Sequence, residues 1–301
     1  MNKDTFCDVV EAESIARTLY TSAQEFTVIN HGYDNIVVLV DKKYALRFAR
    51  NDSARLRSKF EKYLLNYLEQ NSSVNSPRVI REQREPYCLV VTFLFGTHLS
   101  PSKVRKFTLP QQIQFGKDVA RFIYTLQKAV STESVKKLRS ELQLDEQSDE
   151  PWDVYVKNNI VNSKFASEAQ SRISHDIYRQ WKSVYNKGPL VVVHDDLHTE
   201  NMLFVDSHLN GVIDYGDTTL GTAAQDLRQL YLINDLVTKS AISEYNRLSG
   251  DIVDFETVRI WAITHELTTY FKHLSKNQLD HPGFLRTSSN LNYWLPEIKW
   301  T

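Results

Sequence analysis

Between residues 193 and 222 the chain reads VHDDLHTENMLFVDSHLNGVIDYGDTTLGT, which sets aspartates, histidines and an asparagine at fixed spacing. As a pattern it is His194-x-Asp196, then Asn201, an apolar run, a turn over 206–210, and 211-GVIDYGD-217. Such an order suits transfer of a phosphoryl group, a reaction that leaves the protein little covalent work. What the reaction needs is an aligned hydroxyl, metal-bridged phosphates and compensation of the charge on the moving group. A carboxylate beside the hydroxyl can accept its proton. An amide oxygen a few residues on can hold a metal ion, and a second carboxylate on a neighbouring strand can bind the same metal. Asp196, Asn201 and Asp214 meet those requirements in that order. Asp217 can assist the metal or cap the next turn, and both readings stand; His198 reads as a loop-packing residue.

These side chains need a frame. Residues 7–20 place Val9, Val10, Ile15, Ala16 and Leu19 on one face of an opening helix. The segment 26-FTVINHGYDNIVVLVDKKYALRFAR-50 divides into three short strands at His31-Gly32 and at Asp41-Lys42-Lys43, an antiparallel meander. In its last strand Tyr44, Leu46 and Phe48 share one face, and Ala45, Arg47 and Ala49 the other. A helix over 54–70 carries an apolar stripe of Leu56, Phe60, Tyr63, Leu64, Tyr67 and Leu68, with Glu61 at its margin. Two more strands are expected around Val79-Ile80 and in 87-YCLVVTFLFG-96. From about residue 110 the pattern turns helical, first with Phe115, Val119, Phe122, Ile123 and Leu126. The acidic stretch over 141–155 reads as an exposed link, 188–198 begins as a buried strand, and helices dominate from Ala223 to about Asp280.

The motifs 194-HDDLHTEN-201 and 213-IDYGD-217 resemble those of the aminoglycoside phosphotransferase family. These are small-molecule kinases of the protein-kinase-like fold, whose loop commonly reads HGDLHxxN and whose metal motif reads IDFGD or IDWxD. The resemblance implies Asp196 as catalytic base, Asn201 and Asp214 as magnesium ligands, and His194 as a support for the loop; Asp195 stands where glycine is common. It extends to Tyr44-Ala45-Leu46-Arg47, which falls where the kinase pattern V-A-I-K would, so that Arg47 contacts nucleotide phosphates and Glu61 pairs with it. Arginine for lysine is the main departure, because a guanidinium makes bidentate contacts that an ammonium cannot. The phosphate-covering loop 30-NHGYDN-35 has a single glycine, and 90-VVTFLFGTHL-99 resembles the interlobe hinge, with Thr92, Phe93 and Leu94 beside the nucleotide base. Asp226 resembles the family's structural aspartate after the metal loop.

The implied fold is α+β and bilobal: an N-terminal antiparallel β-sheet lobe with one helix over 1–95, and a larger, mainly helical lobe over 96–301 that carries the catalytic loop, metal site and acceptor pocket. The implied activity moves the γ-phosphoryl of magnesium-bound ATP or GTP to a hydroxyl of an aminoglycoside-like acceptor. A kinase of another small alcohol, such as choline, a macrolide or an amino sugar, and a nucleotide-binding protein without turnover, are the alternatives. Family members with cationic acceptors line the cleft with acids, which makes Asp235 and Glu266 candidates; Trp152, Tyr155, Trp261 and Tyr270 read as core before they read as ligand walls.

Composition is compatible with this. The chain has 301 residues, 36 Lys and Arg against 37 Asp and Glu, and 42% hydrophobic residues, so a large core is affordable and no general affinity for nucleic acid or anionic membrane is expected. Cys7 and Cys88 lie far apart without metal-ligand spacing and read as free thiols. With no apolar run of signal or membrane length, the expected location is the cytoplasm.

Overall fold

The computed structural model of the chain describes residues 6–144 and 152–301. Asp8 accepts hydrogen bonds from the Val10 and Glu11 amides while its own amide donates to Glu11, a capping box that starts helix α1 (Val9–Leu19). Strands β1 (Phe26–Ile29), β2 (Asn35–Val40) and β3 (Tyr44–Ala49) follow. Between β2 and β3, Asp41 and Lys42 both take φ of 50°, the pair of left-handed residues that a tight hairpin demands. Helix α2 (Asp52–Asn71), capped by Asn51, precedes β4 (Val79–Arg84) and β5 (Tyr87–Thr92). The five strands make one antiparallel sheet in the order β1-β2-β3-β5-β4.

Alternation along the strands assigns the two faces of this sheet. Ile36, Val38, Val40, Leu46, Phe48, Cys88 and Val90 point one way and bury against Ala12 and Ala16 of α1. Arg47, between Leu46 and Phe48, points the other way, toward α2. The buried face of α2 differs from the expected stripe. It comprises Ala54, Ser58, Phe60, Glu61, Leu64, Leu65 and Leu68, whereas Tyr63 is 50% exposed and Tyr67 is exposed as well. Glu61 lies in the middle of that face, not at its margin, because the arginine on the sheet offsets the cost of burying a carboxylate.

The remaining elements are α3 (Pro101–Val104), α4 (Leu109–Ala129), α5 (Thr132–Glu141), α6 (Trp152–Val156) with a π-helical turn (Lys157–Val161), α7 (Glu168–Val184), β6 (Val191–Val193), β7 (Met202–Val205), β8 (His208–Val212), β9 (Thr219–Gly221), α8 (Ala223–Tyr231), α9 (Asp235–Ser249), α10 (Phe255–Ser275) and α11 (Pro282–Trp294). Two compact units organise them: one of Met1–Ser100, Tyr124–Gln147 and His194–Leu220, the other of Pro101–Ile123, Ser148–Val193 and Gly221–Thr301. The five-stranded sheet, α1, α2 and the β7–β8 hairpin belong to the first. In the second, α10 is buried on nearly all sides and packs on α7, α8, α9 and α11, with Trp261 set edge-on to Trp181 at 5.5 Å. The apolar face expected of α4 is buried as spaced. Of the link expected over 141–155, residues 145–151 lie outside the described residues, and 152–155 are helical. Among the described residues no helix is long and apolar enough to cross a membrane, and both cysteines are free thiols.

Within the second unit Glu244 of α9 is buried and accepts from Arg247 at 2.9 and 3.0 Å and from Arg121 of α4 at 2.8 Å. The Arg247 hydrogen bond, with Arg121 beside it, holds its carboxyl down to about 2 from an ordinary 4.5. A depressed folded pKa stabilises the fold above the unfolded value, and that contribution fades as pH falls toward 2. Denaturant titrations of Glu244→Gln should therefore show lower stability than the native chain at pH 6 and a gap that narrows steadily below pH ~4.5.

Candidate active site

Residues 194–201 form no regular element, so their polar groups are satisfied locally. The His198 amide donates to the Asp196 carbonyl and the Asn201 amide to the His198 carbonyl, each at 2.9 Å. Asn201 Nδ2 then donates to both the carbonyl and Oδ2 of Asp196 at 2.9 Å, which clamps the aspartate side chain. The end of the loop is tied to the segment 213–217, because the Ile213 amide donates to the Asn201 carbonyl at 3.0 Å. His194, fully buried, makes a second tie from Nε2 to the Ile213 carbonyl at 3.2 Å, its ring 4.9 Å from that of Tyr215. Burial holds its imidazole below the usual pKa, with the Asp196 and Asp214 charges opposing. His194 thus braces one side of the loop and the β7–β8 hairpin the other. That hairpin turns on Asp206 and Ser207 alone, both left-handed, so the turn is shorter than the expected 206–210.

Asp195 has a φ of 65°. The left-handed region suits glycine best and aspartate or asparagine next, which gives a backbone reason for the glycine common at this place and for the aspartate found here. Asp214 takes the same conformation, with a φ of 66°. There the chain turns sharply out of the strand and its carboxylate meets Arg47.

Arg47 is the centre of the site. Its Nη1 donates to both oxygens of Glu61 at 2.5 Å and its Nη2 to Asp214 Oδ1 at 2.6 Å. Glu61, only 1% exposed in its side chain, also accepts from the Tyr215 amide at 3.1 Å. Burial works against the Arg47 charge, but Glu61 and Asp214 together hold its pKa above the ordinary guanidinium value. Glu61 is pulled both ways, raised by burial and lowered by Arg47. The Asp214 side chain keeps 46% of its surface, leaving its second oxygen open to a ligand.

Beside this network lies a second one. Arg57, one turn before Glu61 on α2, donates to both oxygens of Asp34 and stands 3.9 Å from Asp217. The Asp217 carboxyl is crowded by protein on one side while 56% of its side-chain surface stays open. Crowding and the Asp196 and Asp214 charges push it up to about 7, against the pull of Arg57. Asp34 and Arg57 escaped the sequence reading, although the helical spacing of Arg57 and Glu61 was a signal for the second. Among the described residues no group of three or more His, Cys, Asp and Glu side chains is arranged to hold a metal ion. The oxygen set Asn201 and Asp214 is nonetheless of the hard type that magnesium takes, and magnesium usually draws its other ligands from phosphates and water.

Thr92, Phe93 and Leu94, expected beside the nucleotide base, lie at the end of β5 and just after it. Thr92 accepts from the Arg78 amide at 2.9 Å, the Phe93 amide donates to the Lys43 carbonyl at 2.8 Å, and Phe93 and Leu94 are half-buried. Gly96, at a φ of 148°, ends the run; a Cβ there would stand 2.8 Å from that of Leu203. Asp235 and Glu266 belong to the second unit. Asp235 opens α9 with an exposed carboxylate 3.4 Å from Lys239. Glu266 is enclosed within α10, where Asn290 donates to it at 2.8 Å and Arg286 at 3.5 Å. Burial alone would raise its pKa, yet His265, Arg286 and Asn290 hold it below the usual value. Asp226, Trp261 and Tyr270 are buried, and Trp152 stacks on Tyr155 at 5.4 Å.

Removing Glu61 leaves Arg47 buried with only a half-open aspartate opposite. Glu61→Ala should lower the unfolding free energy by about 3–5 kcal/mol, read from urea midpoints. At the left-handed loop position, Asp195→Val should be about 1–2 kcal/mol less stable than Asp195→Gly in the same assay.

A model of the phosphotransferase enzyme family matches residues 25–261. A search of curated proteins gave no match. Among solved structures, the GDP complex of wild-type aminoglycoside 2'-phosphotransferase-IIIa is similar at a TM-score of 0.76 and 15% identity, covering 95% of this chain and 98% of that one. The streptomycin-ATP-APH(2'')-IIa ternary complex follows at 0.64 and 16%, covering 95% and 99%. Macrolide 2'-phosphotransferase type I follows at 0.66 and 14%, covering 95% and 98%. At such identities the likeness is one of fold: the antiparallel sheet and the larger helical part of kinase-like structures. The family match itself runs from the first strand of the sheet through the loop over 194–201 and the segment 213–217, and the chain belongs to the phosphotransferase enzyme family.

Proposed function

We propose that the protein transfers the γ-phosphoryl group of a magnesium-bound nucleoside triphosphate, ATP or GTP, to a hydroxyl of a small aminoglycoside-like acceptor. The observation that carries this reading is the meeting of a sheet arginine, a helix glutamate and a strand-end aspartate at Arg47, Glu61 and Asp214, beside a loop in which Asn201 fixes Asp196. Asn201 and Asp214 would hold magnesium, which would supply positive charge to offset that of the phosphates. Asn201 spends its amide nitrogen on Asp196 and keeps its oxygen for the metal; Asp214 offers the carboxylate oxygen that Arg47 does not use. Asp196, held in one rotamer, orients the acceptor hydroxyl and takes its proton as the oxygen attacks phosphorus. Arg47 steadies the phosphates. A guanidinium has five N–H donors, so it can serve Glu61 and Asp214 and still present others to phosphate, which makes arginine a workable replacement for lysine here.

For the acceptor, a cationic molecule suits exposed carboxylates, and Asp235 is the candidate whose side chain reaches solvent; Glu266 contributes through the helix it stabilises. The fold likeness to a macrolide 2'-phosphotransferase supports a macrolide as the second acceptor class to try.

The test is nucleotide turnover with magnesium across aminoglycosides, macrolides, choline and amino sugars, ATP against GTP. Acceptor-dependent diphosphate release is the expected result, and Asp196→Asn should reduce kcat by roughly 10²–10⁴-fold while nucleotide affinity stays within a factor of about two. Tight nucleotide binding with no release on any acceptor would replace this reading by that of a nucleotide-binding protein.

A further inference from the structure

The segment 30-NHGYDN-35 joins β1 to β2 and stands where the proposed reaction needs a loop over the phosphates, yet it has one glycine. Glycine-rich loops approach phosphate through backbone freedom. This loop is held by arginines instead. Arg50, just after β3, donates from Nε to the Gly32 carbonyl at 3.0 Å and from Nη2 to the carbonyl and side-chain oxygens of Asn30 at 2.7 and 2.6 Å. Arg57 donates from Nε and Nη2 to the two oxygens of Asp34, 2.5 Å each, and its third nitrogen is fixed by Ser53 at 2.8 Å. A bidentate guanidinium–carboxylate pair between half-buried side chains is the strong, directional form of an ion pair.

The place of Arg57 in the helix gives this pair a reach beyond the loop. It lies four residues before Glu61, so one face of α2 presents an arginine and a glutamate a single turn apart. Glu61 grips β3 and the Tyr215 amide. Arg57 grips the β1–β2 loop and stands 3.9 Å from Asp217, at the far end of the same metal loop. A Cβ on the intervening Gly216 would lie 3.4 Å from that of Arg57, so this loop runs directly along the helix. We infer that Arg57 is a positioning residue, a latch that holds loop 30–35 in place for the nucleotide phosphates and couples it through α2 to the metal loop. The inference rests on the phosphoryl-transfer reading above.

The test uses the full chain with magnesium and whichever triphosphate it turns over. Arg57→Lys and Asp34→Asn should each raise the nucleotide KM about tenfold while the acceptor KM stays within about twofold, and the double variant should be no worse than either alone, as for two members of one pair. Hydrogen exchange of the 30–35 amides, measured without nucleotide, should quicken in both variants while the core amides of α2 stay protected. A purely structural role would instead raise both KM values and loosen α2. Additive effects in the double variant would overturn the latch. So would tighter nucleotide binding by Asp34→Asn, since Arg57 would then be a phosphate ligand held back by Asp34. If the native chain neither binds nor turns over nucleotide, the phosphoryl-transfer reading fails and the latch with it. Native turnover with variants indistinguishable from the native chain removes the latch alone.

Discussion

A glutamate buried on the inner face of a helix, opposite an arginine in the middle of a sheet, is the constraint on which the rest of the site depends. Each charge alone would cost several kcal/mol to withdraw from water, so neither can be buried unless the other is already in place. Glu61 and Arg47 therefore make the seating of α2 on the sheet conditional on one contact. The loop over 213–217 joins the same bargain, because Asp214 accepts from the remaining guanidinium edge and the Tyr215 amide donates to Glu61. Strand, helix and loop are each satisfied only when the other two are present. This is how a fold stable overall can hold its reacting groups to a narrow geometry.

The same network explains the charge balance of the site. Asp34, Glu61, Asp196, Asp214 and Asp217 are gathered around Arg47 and Arg57, and the sum is negative. The protein packed around Asp217, and after it the Asp196 and Asp214 charges, push that carboxyl up to about 7. Left-handed backbone at Asp195 and Asp214 adds local strain. Both costs sit on the two loops that phosphoryl transfer would use, while the apolar faces behind them, from Phe60 and Leu64 on one side to Val212 and Tyr215 on the other, are closely buried. Surplus negative charge beside fixed guanidinium groups suits a ligand that is itself mixed, a polyphosphate carrying a divalent cation.

Much of this was legible in the amino-acid order, because local rules and chemistry agreed. Two-residue alternation placed Arg47 on the face opposite Leu46 and Phe48, and helical spacing marked the inner face of α4. Where the reading slipped, a tertiary contact had overridden a pattern. Helical spacing puts Tyr63 and Tyr67 on the apolar stripe and Glu61 at its margin; the Arg47 contact turns α2 so that the acid goes in and the tyrosines stay out. Asp34 gave no signal at all, since its partner Arg57 lies 23 residues away across a strand pair and a turn. Ion pairs of that kind carry no periodicity, and only the folded chain displays them.

The acceptor side of the proposed reaction follows a different logic. In the second unit α10 is enclosed by other helices, and its one inward glutamate, Glu266, is bound by Asn290 and Arg286. A carboxylate so engaged is part of the packing: moving it toward a ligand would strand two partners and a buried charge. An acid that recognises a cationic molecule has to keep its own surface, as Asp235 does at the exposed start of α9. On the proposed reading, selectivity for an acceptor would belong to helix ends and connections, where one residue can change without disturbing the core. On the same reading, phosphate chemistry would belong to the Arg47 network, where it cannot. A single fold can then keep its reaction and vary its substrate.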